Sequence, residues 1–194
     1  MTLAERLARA MARAPAAPLL TGDDSRLADI IDGPTAAAVL VAVTDRPEPG
    51  IMLTQRTETL RHHAGQVAFP GGRADPGDTD LIATALREAD EEIGLPPRAV
   101  TVVGTTDRYR TVTGFDVTPV LGVIPPDLAL RPAEAEVASL FEVPLAYLLN
   151  PEHHRRVSVP WNGQTRHYYE ILWNERRIWG ATAAMIVNLS RRLQ

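Results

Sequence analysis

The chain has 194 residues, is 45% hydrophobic and 23% charged, carries a formal net charge of -4 and contains no cysteine. That length suits one domain with a sizeable core, and the acidic balance gives no general attraction to nucleic acid or to an anionic membrane. Without cysteine, disulfides, thiolate metal sites and a cysteine nucleophile are excluded, so any metal must sit on oxygen or imidazole ligands.

The first stretch, MTLAERLARAMARAP, is Arg- and Ala-rich like some targeting peptides. Its Leu3, Leu7, Ala10 and Met11 fall at helical spacing, which favours an amphipathic packing helix over residues 2–14, stopped by Pro15, with the cytoplasm as the expected compartment. A connector rich in Pro, Gly and Asp runs to Pro34, and residues 1–34 are expected to pack on a domain spanning 35–194. The run 36–45 predicts a buried strand, too short to cross a bilayer, and 51–56 its hairpin partner across RPEPG. A helix follows from Thr79 or Asp80 to Ile93, with Gly94 as its stop. Strands are then expected at 99–109, 116–124 and 137–143, and a short helix at 144–150. A hairpin pairs 155–160 with 167–173, and a final helix begins at Gly180. Strands with one inserted helix and helices at both ends predict an α/β sandwich around a mixed sheet.

The helix 79–93 holds LREADEEIG, four acids within five positions. Like charges at i,i+3 and i,i+4 cost about 0.2–0.5 kcal/mol per pair. At roughly 100° per residue, Leu81, Ile82, Ala85, Leu86, Ala89 and Ile93 form the core face and Asp90 points away from it. Glu92 falls inside the apolar arc, while Glu88 and Glu91 lie on its flank. Carboxylates near a core face are costly unless paired or metal-bound. Arg87 can answer Glu91 at i,i+4, and a divalent cation would answer all three glutamates. A solvated acidic helix is the competing reading.

FPGG (69–72), a loop, and then READEEIGL resemble the Nudix box, G-x5-E-x7-R-E-U-x-E-E-x-G-U with U bulky and aliphatic. Arg87, Glu88, Glu91, Glu92, Gly94 and Leu95 match, and Ala89 is a small substitute at a bulky position. Asp78 takes the first acidic position, with eight rather than seven residues between it and Arg87. The resemblance implies a Nudix-type α/β/α sandwich and Mg2+ or Mn2+ on Glu88 and Glu92. It also implies that Glu91 serves a second or shared ion and that a carbonyl at Gly71 or Gly72 completes the site. Such ions bind carboxylates, keep waters and bridge to substrate phosphates.

Upstream, LTQRTETLRHHAGQVAFPGG (53–72) resembles the signature of coenzyme A pyrophosphatases, approximately L-L-T-x-R-S-x3-R-x3-G-x3-F-P-G-G. Leu53, Thr54, Arg56, Arg61, Gly65, Phe69, Pro70, Gly71 and Gly72 align without a gap, with Met52 and Thr57 as mild changes. The implied reaction is hydrolysis of the diphosphate of coenzyme A or acyl-CoA, giving 3′,5′-ADP and 4′-phosphopantetheine or its acyl form. Arg56, Arg61, His63, Gly65 and Gly72 are then the candidate substrate-binding residues, because clustered Arg and His donors suit a polyphosphate. The general base is expected at Glu136, which lies in a Pro-flanked segment able to fold over the site, with Glu91 or water activated by metal alone as competitors. The expected partner is this small molecule, not nucleic acid or a membrane, and a homodimer stays open. The alternatives are another Nudix reaction, on ADP-ribose, dinucleotides or nucleoside triphosphates, and a non-catalytic Nudix-like binding module.

Overall fold

The computed structural model describes residues 1–23, 33–58, 64–161 and 164–194. Helix α1 (Leu3–Met11) opens the chain with a capping box: Glu5 N–H donates to Thr2 Oγ1 (3.2 Å) and Thr2 N–H to Glu5 Oε2 (2.8 Å). Two otherwise orphaned donors are met this way. The helix ends at Met11, earlier than its expected stop at Pro15.

Strand β1 (Thr35–Thr44) lies at the centre of the larger sheet, buried on both faces as its unbroken apolar run requires. β2 (Gly50–Arg56) returns antiparallel beside it, with Val43 opposite Ile51. Two short strands follow that the sequence did not announce: β3 (Val67–Ala68) on β2, and β4 (Gly71–Arg73) on β1. Helix α2 (Leu81–Ile93) comes next. The expected strand 99–109 is instead a one-turn helix at Pro97–Ala99 followed by β5 (Thr101–Thr105) and β6 (Tyr109–Arg110). β7 (Phe115–Ile124) then runs parallel to β1 from Thr35↔Phe115 to Thr44↔Ile124, and β8 (Val137–Pro144) pairs with β2. After α3 (Leu145–Leu149), β9 (Arg155–Trp161), β10 (Gln164–Trp173) and the unexpected β11 (Arg176–Trp179) form a separate antiparallel sheet. Helix α4 (Gly180–Leu193) closes the chain.

Alternation along β1 builds two cores. Ala38, Leu40 and Ala42 face Ala85, Ala89 and Ile93 of α2. Ala37, Val41 and Val43 belong to the opposite cluster, with Leu3 and Leu7 of α1 and Ala184, Ile186 and Leu189 of α4. Helices therefore cover both faces of a mixed sheet, the α/β/α arrangement expected. Each fully buried Leu or Ile contributes about 1.5–3 kcal/mol relative to exposure, so the α2 interface holds its helix firmly in place. No helix among the described residues is long and apolar enough to cross a membrane.

Candidate functional site

The acidic helix is fixed at both ends by its own sequence. Asp80 is the N-cap, its Oδ1 accepting from Ala83 N–H at 2.8 Å. Gly94 ends the helix in the left-handed region (φ 64°), and the N–H groups of Gly94 and Leu95 bond back to the carbonyls of Asp90 (2.9 Å) and Ala89 (3.2 Å). Glycine takes that conformation without a Cβ penalty. The cap fixes the rotation of the last turn: Glu92 is only 5% exposed, and Asp90 faces solvent.

The glycine pair sits beside this turn. Gly71 has φ 156°, and a Cβ there would run into the Ala38 carbonyl and the Val39 backbone. A Cβ at Gly72 would stand 2.6 Å from the carboxyl carbon of Glu88. The first glycine thus lets β4 lie against β1, and the second leaves room for the Glu88 carboxylate against the backbone. Gly71 N–H also donates to Glu92 Oε2 at 3.0 Å.

The arginines answer more of the acidic charge than Arg87 pairing with Glu91 alone would. Arg87 forks onto Asp78 through Nε (3.0 Å) and NH2 (3.1 Å), and its NH1 reaches Glu88 (2.8 Å) and Glu91 (3.1 Å). Asp75 lies 3.9 Å from the same guanidinium. The extra residue lies between Asp78 and Arg87, where Asp80 caps α2 and Thr84 Oγ1 donates to Asp78 Oδ2 at 2.8 Å, while Asp75 N–H donates to the same Oδ2 from the other side. The acid–arginine contact is therefore made despite the altered spacing. Arg87 holds the Asp78 carboxyl well below the usual carboxylate range, mainly by these hydrogen bonds.

Glu92 has a different partner. Its Oε1 lies 3.4 Å from Arg56 NH1, and Arg56 NH2 lies 3.9 Å from Glu136 Oε2. Arg56 Nε is buried with no hydrogen-bond partner among the described residues. Burial pushes the Glu92 carboxyl up to about 7, although the Gly71 N–H and Arg56 act against it. Burial also raises Glu88, with Arg87 opposing. Glu91 differs from its helical-wheel placement: its side chain is 61% exposed and leans onto Arg87 instead of joining the buried seam.

The segment carrying Glu136 does fold back over the end of α2. Arg131 N–H donates to the Ile93 carbonyl (2.9 Å) and Ala133 N–H to the Glu92 carbonyl (2.8 Å). The Glu136 side chain remains 53% exposed. Gly65 adopts φ 67°, with Glu58 where a Cβ would stand, and its carbonyl lies 3.5 Å from Gln55 Nε2. Arg61 and His63 lie outside the described residues. Sequence reasoning did not find the Arg56–Glu92 contact, which joins positions 36 residues apart.

Four carboxylates thus crowd Arg87 and two share Arg56. Among the described residues no three acidic or imidazole side chains form a preformed metal centre. The surplus of negative charge, the all-oxygen donors and the two carboxyls raised by burial nonetheless fit a hard divalent cation at Glu88 and Glu92.

A three-layer α/β/α fold with an acidic helix held behind a Gly-Gly strand defines a class, and the comparisons agree with it. The NUDIX domain model matches residues 34–162, and the chain belongs to the Nudix hydrolase family. It is 48% identical to NudL of Cronobacter sakazakii, an uncharacterized Nudix hydrolase, over 157 residues that cover 81% of this chain and 82% of that protein. Among solved structures it resembles RenU, a Nudix hydrolase from M. smegmatis, with 25% identity, TM-score 0.50 and coverage of 60% of this chain and 74% of the other. A MutT/nudix family protein from Enterococcus faecalis shares the fold over 98% of this chain and 68% of its own, at TM-score 0.52 and 14% identity. Nudix hydrolases generally use divalent ions such as Mg2+ or Mn2+ and act on small molecules.

Proposed function

We propose that this Nudix hydrolase cleaves the diphosphate of coenzyme A or acyl-CoA, releasing 3′,5′-ADP and 4′-phosphopantetheine or its acyl derivative. The observation that carries the reading is the ungapped match of residues 53–72 to the coenzyme A pyrophosphatase signature. Its support in the fold is that Arg56, from that signature, lies 3.4 Å from Glu92 on the acidic helix. One end of the substrate motif therefore meets the hydrolytic motif directly.

In this reading Glu88 and Glu92 hold Mg2+ or Mn2+, with Glu91 turning inward to a second or shared ion. When bound, the ion neutralises the diphosphate, polarises the attacked phosphorus and acidifies the attacking water. Gly71 orients Glu92 through its N–H, and Gly72 leaves the space that Glu88 needs. Arg56 exchanges part of its hold on Glu92 for a substrate phosphate, to which its planar fork is suited. Arg61, His63 and Gly65 contribute further from the same motif. Glu136 is the proposed general base, taking a proton from the attacking water above Arg56.

The test is incubation with CoA, ADP-ribose, NADH and dGTP, each with Mg2+ or Mn2+, and separation of products. The expected outcome is 3′,5′-ADP from CoA as the preferred reaction. Turnover of ADP-ribose without 3′,5′-ADP from CoA would overturn the substrate assignment.

A further inference from the structure

The segment between β7 and β8 crosses the end of α2, held there by backbone groups that the helix leaves unpaired. The last four carbonyls of an α-helix have no partner within it. Two of them, on Glu92 and Ile93, accept from Ala133 N–H (2.8 Å) and Arg131 N–H (2.9 Å). One anchor is thus the backbone of Glu92, the residue whose side chain faces Arg56 at 3.4 Å. Beyond it the chain turns tightly, the Ala133 carbonyl accepting from the N–H groups of both Glu136 (2.9 Å) and Val137 (2.8 Å).

The far side of this turn is held by the end of β2. The β2–β8 ladder runs in register from Gly50↔Pro144 to Gln55↔Ser139 and then slips, Arg56 pairing with Val137 and leaving Ala138 as an extra residue on β8. Such a bulge bends its strand and re-aims the side chains beyond it. Past the bulge Thr57 meets the turn twice. Its N–H donates to the Glu136 carbonyl at 2.9 Å, and its Oγ1 donates to the Ala135 carbonyl at 3.4 Å. These carbonyls belong to the two peptide groups that flank the Glu136 Cα. Peptide groups are planar, so holding both of them fixes the direction in which the Glu136 side chain leaves the backbone. The first bond is open to any residue except proline at position 57, whereas the second needs a hydroxyl.

That direction matters because the carboxylate has little else to hold it. Glu136 is 53% exposed in its side chain and lies 3.9 Å from Arg56 NH2. Among the described residues its carboxylate makes no hydrogen bond. Its backbone therefore decides where it stands relative to Arg56 and Glu92.

We propose that Thr57 is a positioning residue whose hydroxyl, together with its N–H, aims Glu136 at the attacking water. The proposal rests on the assignment of Glu136 as general base, and it gives a reason for a hydroxyl at position 57, where the signature carries serine. It is tested by steady-state kinetics on the full chain, using whichever of the four substrates above wild type turns over fastest. The variants are Thr57→Val, Thr57→Ser, Glu136→Gln and the double variant Thr57→Val/Glu136→Gln. Valine keeps the shape of threonine and removes the hydroxyl. Thr57→Val should lower kcat by about three- to fivefold, within the range of one neutral hydrogen bond, with KM and Tm unchanged. Thr57→Ser should restore most of that loss. Glu136→Gln should lower kcat by about a hundredfold or more, and adding Thr57→Val to it should cost nothing further, because no base is left to aim. A rise in KM at unchanged kcat, a loss that serine does not restore, or losses that multiply in the double variant would each overturn the proposal. Hydrolysis of ADP-ribose but not of CoA defeats the substrate assignment alone, and the same four variants run on ADP-ribose still decide the role of Thr57. Full kcat in Glu136→Gln defeats the base assignment and the positioning role together.

Discussion

Arg87 and Arg56 both lie against the acidic helix, yet they are held in different ways. Arg87 is saturated: a two-pronged contact to Asp78 at 3.0 and 3.1 Å, further bonds to Glu88 and Glu91, and NH2 donating to the Arg73 carbonyl at 3.1 Å. Among the described residues, Arg56 has one long contact to Glu92 at 3.4 Å, a still longer one to Glu136 at 3.9 Å, and a buried Nε without a hydrogen-bond partner. Short, aligned, charge-assisted bonds fix geometry, whereas long ones exchange partners at little cost. The difference leaves Arg87 holding the turn between β4 and α2, and suits Arg56 to the substrate contact proposed for it above.

The largest effect that would break this division is expected at Glu92. Glu92→Gln keeps an acceptor for the Gly71 N–H and removes the charge that faces Arg56. Metal-dependent turnover should fall by about a thousandfold or more, the scale lost with a transition-state electrostatic group, while the circular dichroism spectrum stays unchanged. Near-native turnover would remove Glu92 from the metal site. Next comes Arg56→Gln, which should raise KM by about tenfold or more with little change in Tm, because little of the fold depends on its loose contacts. A large loss of Tm with unaltered KM would make Arg56 a second structural clamp and cancel the comparison.

Asp78→Asn tests the other side, in stability. It should lower Tm at neutral pH, with KM for the remaining folded enzyme changed far less than in Arg56→Gln. The sign of its pH dependence follows from the depressed carboxyl. The Asp78–Arg87 contribution is complete above the unfolded aspartate value of about 4 and is lost as pH falls through the lower folded value. The Tm deficit of Asp78→Asn should therefore be constant from pH 8 to 5 and shrink below about pH 4. A deficit that grows on acidification would show that Asp78 does not act as a carboxylate.

The two arginines also mark where sequence reading reached and where it stopped. The α2 boundaries were legible because Asp80 and Gly94 are local signals: each bonds to backbone within a few residues. The burial of Glu92 was legible too, since helical periodicity alone places it inside the apolar arc. Strand β4 was not, because two consecutive glycines read as a turn, and their pairing with β1 depends on clearance beneath Ala38 and Glu88. The Arg56–Glu92 contact was hidden for a related reason. It depends on the sheet bringing β2 beside the helix end, and no spacing rule connects positions 56 and 92. The shifted spacing after Asp78 resolves the same way, since the carboxylate is held to α2 by Thr84 Oγ1 as well as by Arg87, contacts that no residue count reveals.

The smallest expected effect is at Glu91, which tests how far the saturation of Arg87 extends. Its carboxylate is mostly exposed and adds one i,i+4 contact to a guanidinium already held by Asp78 and Glu88. Such a pair contributes about 0.3–0.5 kcal/mol, so Glu91→Gln should shift Tm by no more than a degree or two. Any larger consequence must then appear in turnover. A fall in kcat with Tm preserved would place Glu91 on a metal ion or the attacking water after it turns inward from Arg87. If kcat falls instead in Glu136→Gln and holds in Glu91→Gln, proton removal belongs to the segment folded over the helix end, on the side of the loosely held arginine.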